Sequence, residues 1–187
     1  MKTQEYFAIA AMFALVSCAS PASTGTQFTI TSSALENGGK LAQKYAGNNP
    51  QNKNCDGQNV SIPLAWQNAP ANTKSFAIMM TDLVGRGGLG VSHWVAYDFP
   101  ASKTSLKEGE ASQPSKDFVG GKNTPGTTLY YGPCPPMTDT PHPYTIVIVA
   151  TDIAPGTLKP GMTAAELGAA LNGHALGATS FVANYRP

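Results

Sequence analysis

Asp82, His93, His142 and Tyr144 are the side chains best suited to chemistry in this sequence, and each stands oddly against a strand-like run. Asp82 closes the apolar stretch SFAIMMT, and His93 interrupts VSHWVAYDF. His142 and Tyr144 open an apolar run just after the turn Gly132-Pro133-Cys134-Pro135-Pro136. Imidazoles, a phenol and a turn amide can together hold an anion without Lys or Arg, and a carboxylate among them either orients an imidazole or receives an amine. Taken singly, each has a plainer reading: a turn-forming Asp, a half-buried sheet His, a rim or core Tyr, a rigid proline turn. Their joint occurrence is what points to a site. A second class of function stays open: a Cys134 thiolate beside His93 or His142 would be a nucleophile, and a His/Asp set would suit a metal.

Other chemistries lack a basis. The run at 85–90 satisfies G-x-G-x-x-G, but it leads into a strand instead of opening a helix, so a phosphate would find no helix N-terminus. P-loop, H-E-x-x-H and G-x-S-x-G patterns are absent, and no cofactor is implied. The 12 Lys and Arg are scattered and balance 11 Asp and Glu to a net +1, which gives no electrostatic footprint for nucleic acid.

These residues must be positioned by strands. With 187 residues, one domain is the default, and Gly 19 with Pro 15 favours many turns over long helices. Period-two or β-branched runs predict strands at 28–32, 60–66, 75–81, 91–99, 144–151 and 179–185, with Pro63 confining the second to an edge or bulge. Thr163 and Glu166 have capping-box spacing, and Leu167, Leu171 and Leu176 continue at helical spacing to a stop at Gly177. The stretch 100–130 is longer than a compact domain leaves structureless unless it borders a site.

The chain opens with a ten-residue apolar run at 7–16, too short to span a bilayer, followed by Leu15-Val16-Ser17-Cys18. This predicts a signal peptide over 1–17 and a lipobox in which Cys18 is acylated, with ordinary cleavage near the same place as the alternative. Residues 18–27 form a Ser/Pro/Thr/Gly tether, and 28–187 the domain. Export would put Cys55 and Cys134 in an oxidising compartment, either as a disulfide or as two buried thiols.

The spacing of Asp82 to His93-Trp94-Val95, the G-P-C-P-P run at 132–136 and His142-Pro143-Tyr144 resembles the phosphatidylethanolamine-binding protein family, in its bacterial Raf-kinase-inhibitor-like branch. The opening CDGQNVSIPLAW at 55–66 and the tail Gly173-His174-Ala175-Leu176 are similar to that branch as well. The resemblance implies a mainly β fold, a large antiparallel sheet packed on a smaller one with a short C-terminal helix. It also implies a small pocket for a phosphate-bearing molecule or phospholipid head group, and a protein-interaction or inhibitor role rather than catalysis. Asp82, His93, Gly132, Pro133, His142 and Tyr144 would form the pocket, with the Gly132 amide as a donor and Asp82 holding His93 or an amine. Where the family has D-P-D-A-P, this chain reads Asp82-Leu83-Val84-Gly85-Arg86, so only the first acid carries over. Arg86 is then a new charge near the pocket mouth, or a solvated loop residue.

Overall fold

The computed structural model describes residues 26–137 and 140–187. The signal peptide, the acylation site Cys18 and most of the tether lie outside the described residues. Six strands make a large sheet in the order β2 (Gly39–Lys40), β9 (Ala175–Tyr185), β8 (His142–Thr151), β4 (Ser75–Asp82), β5 (Val91–Pro100), β7 (Val119–Gly120). Its pairings are antiparallel except the parallel β2–β9 edge. Three more strands, β1 (Thr29–Thr31), β3 (Leu64–Gln67) and β6 (Ser105–Leu106), form the small antiparallel sheet in the order β1-β3-β6. The mainly β, two-sheet expectation holds.

The large sheet is covered on both faces, which is why β4 reads as a continuous apolar run rather than an alternation. Phe76, Ile78 and Met80 point into the core shared with the small sheet, where Trp66 meets Phe76 edge-on at 5.5 Å and Phe99 at 6.2 Å. Ala77, between them, joins Val95, Tyr97 and Val149 against Leu167 and Leu171 of the helix Ala164–Leu171. That helix starts as its sequence dictates: Thr163 Oγ1 accepts from the Glu166 amide at 3.3 Å, and Glu166 accepts from the Thr163 amide at 2.8 Å. It stops earlier than predicted. Asn172 is the cap and Gly173 takes φ +81°, so Leu176 and Gly177 belong to β9.

Two further differences concern prolines and loops. Pro63 sits just before β3, so β3 is free to be the central strand of the small sheet instead of an edge. The long segment after β5 is organised by side chains: Asn123 donates to the carbonyls of His93 (3.2 Å) and Leu129 (3.1 Å) and so binds the segment to β5.

Candidate functional site

The three innermost neighbours β8, β4 and β5 end together. Asp82 is opposite Tyr144 of β8 on one side and Val91 of β5 on the other, so the last residue of β4 is flanked by the starting ends of both partners. The β4–β5 register shifts between Met80, opposite Trp94, and Thr81, opposite Ser92, which leaves His93 as the extra residue of a bulge. A bulge re-aims a side chain, and here it brings His93 beside Tyr144, ring centroids 5.0 Å apart and edge-on. Pro143 falls one residue before the β8–β4 pairing begins, so its missing N–H breaks no bond to β4.

Asp82, His93, His142 and Tyr144 border one cavity of about 300 Å³, together with Arg86, Tyr131, Cys134, Pro135 and Pro136 among others. Asp82 is 3% exposed. One carboxylate oxygen accepts from the amides of Val84 (2.9 Å) and Gly85 (3.0 Å), and the other from His142 Nδ1 at 2.7 Å. Asp82 therefore fixes both the loop after β4 and the proton position on His142, whose Nε2 has no partner among the described residues. The partner is His142, not His93 as anticipated, because His93 Nδ1 lies 2.9 Å from the Tyr131 carbonyl. A carbonyl only accepts, so Nδ1 carries the proton. Burial pushes the His93 imidazole below its ordinary value, opposed by that carbonyl and by the Asp82 charge, so Nε2 is a lone pair at neutral pH.

Tyr144 is fully buried and its hydroxyl has no hydrogen-bond partner among the described residues. Burial raises its pKa, so the group is a protonated donor on the cavity wall with nothing to donate to. A buried donor left unpaired costs about 1–3 kcal/mol, so an acceptor atom reaching this wall would be favoured.

The proline-rich turn contributes differently from expectation. The Gly132 amide donates to Asn59 Oδ1 at 2.8 Å and is not available to a ligand. A side chain on Gly132 would run into the backbone of Tyr45 to Gly47, so glycine is required there for close approach. The Pro133 carbonyl accepts from the Gly47 amide at 2.9 Å. Neither residue lines the cavity; Tyr131, Cys134, Pro135 and Pro136 do. Tyr131 was missed because nothing in a loop sequence says which side chain faces inward. It stacks on His93 at 5.7 Å.

Cys55 and Cys134 are joined in a disulfide. A bridged sulfur has no thiolate to offer, so the nucleophile alternative lacks its nucleophile while the bond is intact. Among the described residues, no group of three or more His, Cys, Asp or Glu side chains is arranged to hold a metal ion.

Comparison with known proteins agrees with the fold and the family resemblance. The family model described as phosphatidylethanolamine-binding protein matches residues 31–186. The chain is similar to a UPF0098 protein of Methanothermobacter thermautotrophicus, 34% identical over 142 residues that span 75% of this chain and 91% of that one. It is similar to the UPF0098 protein YbhB of Escherichia coli, 31% identical over 166 residues, covering 83% and 98% of the two chains. Among solved structures, Escherichia coli YbcL, described as a new member of the mammalian PEBP family, superposes with a TM-score of 0.78 at 26% identity, over 87% of this chain and 99% of YbcL. With a family match running from β1 to the end of β9, the chain belongs to the phosphatidylethanolamine-binding protein family.

Proposed function

We propose that this protein is an exported, lipid-anchored binding protein whose cavity between the ends of β4, β5 and β8 holds a phosphate-bearing small molecule or head group without chemical turnover. The observation that carries the reading is the Tyr144 hydroxyl, a buried protonated donor without a partner among the described residues, on a wall shared with His93 and His142. An anion supplies what these groups lack. It accepts from Tyr144, and it stabilises the protonated form of either imidazole, whose second N–H then becomes a charge-assisted donor.

Inorganic phosphate is expected to raise the melting temperature in a saturable way, since a ligand bound only to the native state adds RT ln(1 + [L]/Kd), about 2.7 kcal/mol at 100 Kd. Tyr144→Phe should weaken that protection, yet leave the ligand-free protein as stable as before or up to about 1 kcal/mol more stable, because it removes an unpaired donor. Lys159→Ala, on an exposed residue away from the cavity, should leave both unchanged. Protection that rises linearly with salt and is identical in Tyr144→Phe would be general salting and would refute the pocket reading.

The pH dependence follows from His93. Its folded pKa is depressed from an ordinary value near 6.5, so between the two values the unfolded chain binds more protons than the native one. Ligand-free stability is therefore full above about pH 6.5 and falls as pH drops toward the folded pKa. Sulfate, whose charge is constant over this range, should protect increasingly as pH falls from 8 to 5, and His93→Gln should remove most of that trend. A flat sulfate profile in the wild type would exclude His93 from the binding.

The export half of the proposal rests on the apolar start of the chain and is consistent with the disulfide. Cys18→Ala is expected to move the protein from the membrane fraction to the soluble one, because each buried acyl CH₂ contributes about 0.8 kcal/mol. An unacylated N-terminus in the wild type, with no change of fraction, would discard the anchor.

A further inference from the structure

We infer that the cavity selects a phosphomonoester that carries no amine, and that Arg86 is the residue that enforces the choice; this deepens the anion-pocket reading and rests on it. Three observations lead there. The first is that Asp82, the one carboxylate among the described residues of the cavity wall, has both oxygens occupied, by the Val84 and Gly85 amides and by His142. The Tyr131 carbonyl is occupied too, by His93 Nδ1. An ammonium group entering this cavity would have to share Asp82 and the Tyr131 carbonyl with the donors they already hold, and would otherwise meet only the neutral lone pair of His93 Nε2.

The second is the placement of Arg86. It is an exposed cavity-lining residue one position after Gly85, so Asp82, by gripping the Val84 and Gly85 amides, also fixes where the guanidinium starts. Arg86 sits in the left-handed region at φ +56°, a conformation that glycine would adopt without strain. No hydrogen bond or ion pair to another described residue holds its side chain. The third is depth. Tyr144 is fully buried whereas Arg86 is exposed, so an anion that satisfies Tyr144 presents its outer oxygens and its substituent toward the guanidinium. A guanidinium fork matches phosphate oxygens and repels a cationic substituent on the same phosphate. A zwitterionic head group therefore brings its positive end to the wrong charge.

Propyl phosphate and O-phosphoethanolamine have nearly the same shape and differ in the terminal charge. Titrated calorimetrically at fixed ionic strength, the wild type is expected to bind propyl phosphate roughly tenfold more tightly than O-phosphoethanolamine. Arg86→Gln should weaken propyl phosphate by a similar factor, leave O-phosphoethanolamine within about twofold, and so collapse the ratio. Arg86→Gly should do the same while raising the ligand-free melting temperature, a split between binding and stability that a purely structural role for Arg86 would not give. Equal binding of the two ligands by the wild type, or an unchanged ratio in Arg86→Gln, overturns the assignment of Arg86 and leaves the anion pocket standing. Failure of the wild type to bind either ligand overturns the pocket itself, and this inference with it.

Discussion

Replacing Cys55 or Cys134 by serine is expected to lower the unfolding free energy by about 2–5 kcal/mol, the usual range for removing a native bridge from an exported domain. The two cysteines are 79 residues apart, so the bond removes a large loop-closure entropy from the unfolded chain, whose ceiling in the chain-entropy model is about 4–5 kcal/mol. Native contacts run in parallel with the bond. Gly47 donates to the Pro133 carbonyl at 2.9 Å and Gly57 to the Gly47 carbonyl at 2.9 Å, so the segment carrying Cys55 stays near the turn through hydrogen bonds that survive reduction. The variants should accordingly fold, with a lower denaturation midpoint. Reductant should reproduce the shift in the wild type and add nothing in either variant. Because Cys134 lines the cavity, phosphate protection should weaken along with the fold. Two titratable thiols in the unfolded, unreduced wild type would contradict the bond outright.

Asp82→Ala is the second change with a large expected cost, about 3–5 kcal/mol, the range for breaking a buried ion or hydrogen-bonded pair by removing one partner. Three donors lose their acceptor together: the Val84 and Gly85 amides and His142 Nδ1. Asp82→Asn should cost less, because a carboxamide oxygen still accepts from the two amides. Its NH₂ would then face the protonated nitrogen of His142 and force the ring to the other tautomer, so phosphate protection should fall even where stability is largely kept. Chemical denaturation of the two variants, read beside their phosphate titrations, separates the structural share from the binding share. A loss under about 1 kcal/mol for Asp82→Ala would mean that the Asp82–His142 contact is not maintained in solution.

The parts of the fold that were legible from sequence are those in which local pattern and burial agree. β4, β5 and β8 are long and apolar because a doubly covered sheet demands it, and the Thr163–Glu166 box announces its helix by chemistry that is complete within four residues. β2, β6 and β7 have two residues each, too few to show a period, and exist only because a longer neighbour supplies the partner. The same division runs through the site. Asp82, His93, His142 and Tyr144 were visible as polar residues at odd positions in strands. Gly132 and Pro133 enter the expected pocket only through the family resemblance, but the turn spends its first two residues packing against the chain around Gly47 and meets the cavity with the next three. Tyr131 lies in irregular backbone, where no periodicity distinguishes inside from outside.

The bulge at His93 has a consequence for how the cavity can change. Asp82, His93 and Tyr144 stand on strands that have a hydrogen-bonded neighbour on each side and apolar layers above and below, so amide exchange at the floor should require nearly global opening. Residues 83–90 are joined to that floor at both ends of a hairpin and make few contacts of their own, with Leu83 and Leu89 68% and 80% exposed. A rigid donor set is thus paired with a short interchangeable segment. Exchanging 83–90 for the corresponding loop of a relative is expected to change the charge and shape at the cavity mouth while the imidazoles and the phenol keep their positions, because those side chains stand on the sheet and not on this hairpin.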